Sequence, residues 1–401
     1  WELYEQGVRK YLENREDPPP YMRLFFDYGF LDETLLETEH LKYLCEFEDQ
    51  RDARYPYHTT LQWLEAIYDR QVPPSMNELG LTFFETLKAE HKDKGWKKES
   101  DLPPEYDTSA ARLKFEIQNM LKAAAPLTSG SQHTYFMILT RAHMSQEPAQ
   151  SLVSYAKLAE HMDKLLDVDF GAYHQEVPYR SEKFGIRREA LQIRVLPNII
   201  RVPAVGPVIQ FWQEREGKTK GTPARILMPA FAPGEFYTML LSVSGIFRWE
   251  IVRAIMGIDW NNIGISSLTA DYVDYVQFYK KNRDLSTSIK EKLAQEFKRF
   301  RDDRSRFVND YITWVKFEAE GSQRMNKVVR NILATHVPFK KPIREKLSQI
   351  PAYKEPLERG ENRRRKKARE LAPKLKKIKR LNNDVIPDEL AETYKFWNMD
   401  Y

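Results

Sequence analysis

Apolar residues recur at helical spacing along most of the chain. Trp1, Tyr4, Val8 and Tyr11 stand three or four apart and define one helix face, which the Asp17–Pro20 segment ends. A second apolar pattern runs over Tyr21–Phe47. Thr59 and Gln62 have capping-box spacing, with Leu61, Leu64 and Ile67 on the face of the helix they would start. Residues 91–107 are polar and contain prolines, as an exposed loop would. Leu113, Ile117, Met120 and Leu121 form the next stripe, followed by Leu152, Tyr155, Leu158, Met162 and Leu165. Such faces must bury against one another, so a helical bundle is the economical reading.

Residues 190–232 break this pattern. Prolines at 197, 203, 207, 223 and 229 are too frequent for a helix. Short β-prone runs lie between them, at Ile199–Val202, Val208–Trp212 and Arg225–Met228, and no other part of the chain is expected to form strands. Helical patterning then resumes. Phe236–Met256 is apolar on most sides, which predicts a central helix with Gly257 as its C-cap. Leu268–Asn282 follows. Ile289, Leu293, Phe297, Phe300, Phe307, Tyr311 and Trp314/Val315 hold one stripe, predicting a single long helix near 287–319 that Gly321 ends. Met325, Val328, Val329 and Ile332 mark one more helix, and no repeat of solenoid period is visible. The expected fold is therefore mainly α: a multi-helix bundle with a small Pro-rich β or extended insert near 190–232 and a basic helical C-terminal tail. The expected regions are 1–175 (helical), 176–338 (a central helical domain holding the insert) and 339–401 (the tail).

Composition narrows the class. Of 401 residues, 42% are hydrophobic and 30% charged, a balance that excludes a disordered chain. The single cysteine, Cys45, excludes an intrachain disulfide and a cysteine-based zinc site. Scarce cysteine and abundant Lys and Glu suit a reducing cytoplasm. The longest mostly apolar stretch, Phe236–Phe247, contains Thr238, Ser242 and Ser244 and falls short of the about 20 residues a bilayer requires. No membrane span or signal peptide is expected. A chain starting at Trp1 rather than Met, already in helical pattern, reads as a processed or trimmed boundary.

The net charge of +5 hides an asymmetry. Residues 340–380 hold seventeen Lys/Arg against five Glu, while 381–401 hold one Lys against five acids, so the remainder is slightly acidic. A local basic block on an acidic body points to an anionic partner more specifically than a diffuse high pI does.

Motifs for chemistry are sparse. Glu216-Gly-Lys-Thr-Lys-Gly221 resembles the end of a phosphate loop, but Trp212 stands where the first glycine is needed. A polar turn explains it more simply. There is no dinucleotide-binding glycine pattern and no nucleophile elbow around Ser244-Gly245. Ser154 and Lys157 have the spacing of a serine acyl-enzyme on a stretch that also fits an ordinary helix. His161, Asp163, Asp167, Asp169 and His174 could share a cation, with His133 and His143 near in sequence, yet carboxylates one turn apart are common on solvated faces. No catalytic residue, metal ligand or cofactor site is assigned. Asp271, Tyr272, Asp274, Tyr275 and Tyr279 fit a core face beside a solvated one. Arg248, Glu250 and Arg253 follow directly on the most apolar helix, with Asp259 and Trp260 beyond them. Charge there must pair or line a cavity, so these five residues are a candidate ligand pocket; a structural ion-pair network is the simpler reading.

The strongest signal is the basic segment. Arg363, Arg364, Arg365, Lys366 and Lys367 are consecutive, joined by Arg369, Lys374, Lys376, Lys377, Lys379 and Arg380. Ala368, Leu371, Leu375 and Ile378 recur on one face, interrupted only by Pro373. Such a helix can neutralise phosphates, lie on anionic lipid or dock in an acidic protein groove, and an extended solvated tail would have the same composition. The terminal aromatics Tyr394, Phe396, Trp397 and Tyr401 suggest that the tail packs on its own body or on a neighbour.

The stretches Val195-Leu-Pro-Asn-Ile199, Phe247-Arg-Trp-Glu250, Trp260-Asn261 and Ser267–Ser286 resemble a family of uncharacterised bacterial cytosolic proteins, over most of 20–340. Some relatives are associated with cyclic-nucleotide-binding domains. The barrel and phosphate cassette of such a domain have no match here, and it would have to precede Trp1. The resemblance implies no reaction and does not reach the basic segment.

Together these features favour a non-catalytic intracellular interaction or scaffold protein whose basic tail contacts an anionic partner, an acidic protein surface or nucleic acid. One alternative is a nucleic-acid-binding protein, favoured if the positive field continues onto the body through Arg180, Lys183, Arg187, Arg188 and Arg194. The other is a small-ligand sensor or enzyme with a pocket near Arg248–Trp260. The long helix and terminal aromatics leave self-association open.

Overall fold

The computed structural model describes residues 2–15, 20–29, 54–124, 127, 148–213, 224–281, 286–300 and 302–398. Several features named above lie outside them: Cys45, His133, His143, the Glu216–Gly221 segment and Tyr401. The helices are α1 (Glu2–Asn14), α2 (Pro20–Tyr28), α3 (Thr60–Tyr68), α4 (Phe83–Glu90), α5 (Ser109–Ala124), α6 (Pro148–Ser151), α7 (Tyr155–Val168), α8 (Phe236–Met256), α9 (Leu268–Lys281), α10 (Thr287–Arg299), α11 (Asp303–Lys316), α12 (Lys327–His336), α13 (Lys341–Leu347), α14 (Pro351–Leu381) and α15 (Asp388–Asn398). The strands are β1 (Tyr57–His58), β2 (His174–Ser181), β3 (Ile186–Arg194), β4 (Asn198–Val205), β5 (Gln210–Gln213) and β6 (Arg225–Phe231). The chain is mainly α-helical and divides into two compact units, 1–160 with 196–239, and 161–195 with 240–401. Each unit takes two separate stretches of chain, where the sequence pattern suggested consecutive regions cut near 175 and 338.

In the first unit the sheet runs β1-β4-β6-β5. β4 pairs parallel with β1 and β6, and β5 runs antiparallel to β6. β4 and β6 are buried almost end to end, which is why they read as mostly apolar runs, broken in β4 only by buried Arg201, rather than as alternating ones. Pro203 cannot donate to the ladder, and the β4–β6 register shifts between Val202 and Val205. The stripes of α1, α3 and α5 meet Ile200, Val202 and Leu227 in one core around Trp63. Thr59 caps α3 through the expected box: Gln62 N–H donates to Thr59 Oγ1 and Thr59 N–H to Gln62 Oε1. That core also encloses a polar knot. Glu116 accepts from Trp63 Nε1 and Ser75, and Arg225 lies over the Trp63 ring with Pro73 O as an acceptor. Burial lowers the Arg225 guanidinium to about 10 against the opposing pull of Glu116.

In the second unit, β2 and β3 form an antiparallel hairpin, most of it before the 190–232 region where the sequence pattern predicts strands. β3 carries four charged residues and β2 contains Pro178, so the apolar–polar alternation of the pair is weak. Gly185, at φ 64°, supplies the turn. The expected long helix near 287–319 is two helices. Asp302 accepts from Ser305 N–H and starts α11 afresh, with Phe300 extended before it. α8 ends as expected at Gly257, at φ 58°. Trp249 packs against Tyr272 and Phe307, and Trp314 stacks on Phe339. Among the described residues, no helix is long and apolar enough to cross a membrane.

Candidate functional site

The basic segment is α14, and it is docked. Its apolar face (Leu371, Leu375 and Ile378) buries against Phe184, Ile186 and Leu191 of the hairpin and Leu390 of α15. The helix runs through Pro373, which is exposed, on the side away from that contact. Toward its N-terminal half α14 lies close to α12. Gly360 permits this, because a Cβ there would overlap the carbonyl oxygen of Ala334. α15 follows and returns onto the same unit. Thr393 Oγ1 accepts from Gln192 N–H, and the Phe396 ring packs on Phe170 and His174. Tyr394, Phe396 and Trp397 thus pack on the chain's own body.

Docking sorts the eleven candidate cations into two sets. Arg365, Lys366, Arg369, Lys376, Lys377, Lys379 and Arg380 are exposed. They span about 22 Å at 1.5 Å per residue, and Glu370 is the only acid between 362 and 381. The other four are turned toward the body. Lys374 pairs with Glu189, and Lys367 shares a hollow with Glu176 and Glu189. Arg363 and Arg364 line a cavity of about 210 Å³. Arg364 is 2% exposed, and burial, with Arg344 as a like charge, brings its guanidinium down to about 9.

Of the five pocket candidates, Arg248 lines this cavity and the other four do not. The phase of α8 explains the split. Arg248, Ile251, Val252, Ile255 and Met256 fall on one face and all line the cavity, whereas Glu250 and Arg253 point elsewhere. Glu250 binds Arg304 at 2.6 Å and Arg253 at 3.3 Å, and Arg253 lies over the Trp260 ring. Asp259 accepts from Asn262. Arg248 is itself neutralised: Nε donates to Asp169 Oδ2 at 2.8 Å and Nη2 donates to Oδ1, while Tyr311 OH also donates to Oδ2 at 2.8 Å.

The rest of the lining was not anticipated. The hairpin supplies His174, Gln175, Glu176 and Gln192, and residues from 265–268, α12 and α15 close the space. Burial, with the charges of Arg194 and Arg248, pushes the His174 imidazole down to about 3, so it is neutral at physiological pH. His336 Nε2 lies 2.7 Å from Asp271 Oδ2, and Ser266 Oγ donates to that same oxygen at 3.1 Å. Burial holds the His336 imidazole below its ordinary value despite Asp271. A catalytic triad needs the histidine between serine and carboxylate. Here the carboxylate lies between, so the serine proton has no imidazole to accept it. Ser154 and Lys157 are not an acid–base pair either: Ser154 Oγ accepts from Lys157 N–H, and the Lys157 ammonium donates to Gln150 O. Among the described residues no group of three or more His, Cys, Asp or Glu could hold a metal ion. Of the acids that stand near His161 and His174 in sequence, Asp167 binds Lys340 and Asp169 binds Arg248.

The hairpin cations Arg180, Lys183, Arg187 and Arg194 are exposed; the Arg188 side chain is outside the described set. Lys183 Nζ donates to Asn382 Oδ1 at 2.8 Å, just past the end of α14.

No curated protein and no solved structure matches the chain. Residues 257–396, which run from the end of α8 into α15 and include all of α14, match a family model described as a domain of unknown function (DUF8509).

Proposed function

We propose that the second unit binds the phosphate backbone of nucleic acid along the outward face of α14. The observation behind this is the docking of α14 on the hairpin. It fixes seven cations on one rigid surface, and Lys183 carries the strip past the helix end. A pre-ordered cationic strip neutralises phosphates without first spending entropy on ordering, and counterion release drives the contact. No exposed aromatic lies between these cations, so the surface suits backbone contact rather than base stacking.

The test uses the full chain. Its affinity for a duplex DNA and for an RNA hairpin is measured across a salt series. The expected slope of log K against log salt is about −0.9 per phosphate contacted. The combined Lys376→Glu, Lys377→Glu and Arg380→Glu variant should bind at least tenfold more weakly with a shallower slope. If the parent chain ignores both nucleic acids at low salt yet binds poly-glutamate, the same strip docks on an acidic protein and the nucleic-acid reading is wrong.

A further inference from the structure

Beneath the inner side of α14 lies the 210 Å³ cavity, and its chemistry differs from that of the outer strip. Three guanidinium groups, from Arg248, Arg363 and Arg364, line it against one carboxylate, Glu176. Arg248 is committed to Asp169, as described. Arg363 makes no direct ion pair with a carboxylate among the described residues, although the charge of Asp271 acts on it from behind Ser266 and His336. Its Nη1 donates to Ser266 Oγ at 3.3 Å and stands 3.4 Å from His336 Nε2, an imidazole held neutral by burial. Two weak contacts to neutral groups leave most of its five donors for something else.

A second observation, independent of charge, concerns the same lining. Gln175 lines the cavity and is 3% exposed, yet its amide Nε2 finds no hydrogen-bond partner among the described residues. A buried amide donor left without an acceptor is unfavourable, so an acceptor brought within reach of Nε2 would relieve it. Apolar side chains form part of the remaining wall, with Ile251, Ile255 and Met256 from α8 and Phe396 and Trp397 from α15. Exposed Glu176 and Ile265 share the lining, so the space is open to solvent.

We infer that this cavity is a binding site for a small amphipathic organic anion, whose carboxylate or phosphate group meets Arg363 and Gln175 and whose apolar body lies against α8 and the α15 aromatics. The site is separate from the nucleic-acid surface and does not depend on it. Arg363 and Arg365 are two positions apart, but one turns toward the cavity and the other to solvent.

The test is calorimetric titration of the full chain with acetate, inorganic phosphate, 4-phenylbutyrate, phenyl phosphate and the neutral 4-phenylbutanamide. The two aryl anions should bind, and each should bind at least tenfold more tightly than the amide. Acetate and inorganic phosphate, lacking the apolar body, should bind more weakly than their aryl counterparts. Whichever aryl anion binds better names the headgroup. Arg363→Met should abolish the preference for anion over amide, and Arg365→Met should leave it intact. The inference is overturned if no aryl anion binds to the folded protein at about 10 mM, if the amide binds as well as the anions, or if Arg363→Met keeps the preference. Because none of these readouts involves nucleic acid, failure here is distinguishable from failure of the α14 proposal.

Discussion

Replacing Asp169 by Asn removes the charge that balances the buried Arg248 guanidinium. Asp169 is 0% exposed and accepts three hydrogen bonds, two from Arg248 and one from Tyr311. Asparagine keeps the shape but presents an NH₂ where one carboxylate oxygen stood, facing groups that are themselves donors. Leaving one member of a buried pair uncompensated costs about 3–5 kcal/mol. With a urea dependence of about 2–3 kcal/mol per molar, the midpoint should fall by roughly 1–2 M. Hydrogen exchange of peptides from α8 and α11 across a urea series reports on this unit alone. Arg248→Met should cost a similar amount by stranding the carboxylate. The double variant Asp169→Leu with Arg248→Met should recover most of the loss, because well-packed apolar pairs often replace buried ion pairs at little cost. The reasoning fails if Asp169→Asn lies within about 1 kcal/mol of the parent, or if the double variant loses the sum of the two single losses.

Acid should also weaken this unit through His174. Its imidazole is held at about 3 against an ordinary 6.5. Below 6.5 the unfolded chain therefore takes up a proton that the folded chain refuses, and stability falls as pH drops toward 3. The loss between pH 7 and pH 5 is about 2 kcal/mol, and His174→Gln should flatten that part of the pH–stability curve. Gly360→Ala should destabilise by about 1–3 kcal/mol in denaturant melts, although Ala is the better helix former, because its Cβ meets the backbone of Ala334. A stabilised variant would show that α12 and α14 are not in close contact. Ile378→Ala, at a position 1% exposed, should cost about 2–4 kcal/mol and speed tryptic cleavage between Lys374 and Arg380, whereas Lys379→Ala should do neither.

Much of the helical framework was legible along the chain. The Thr59–Gln62 cap, the apolar run of α8 with its glycine stop, and the three short strands at 199–228 depend on local spacing and backbone chemistry. Neighbours in sequence suffice to specify such features. Two local signals were available but masked. Asp302 is three residues before Ser305, a cap in the middle of a stripe that otherwise continues through it. The 174–194 hairpin alternates only weakly, because β3 carries four charged residues and β2 contains Pro178.

The candidate site was legible only in fragments. The basic run and its apolar face could be read directly, and Arg248 could be flagged as charge that must pair or line a space. Its actual partner, Asp169, lies 79 positions away, and the cavity gathers residues from Gly171 to Trp397. Composition fixes how many cations the chain carries, not where each one points. Consecutive residues on a helix are about 100° apart, so the five cations Arg363–Lys367 surround α14. Only the packing of α14 on the hairpin and α12 decides which of them lose water. That packing separates Arg363 and Arg364, which face a cavity, from Arg365 and Lys366, which face solvent. Periodicity determined that the helix would have a buried side. The tertiary structure chose what covers it, because burial depends on contacts between segments far apart in sequence.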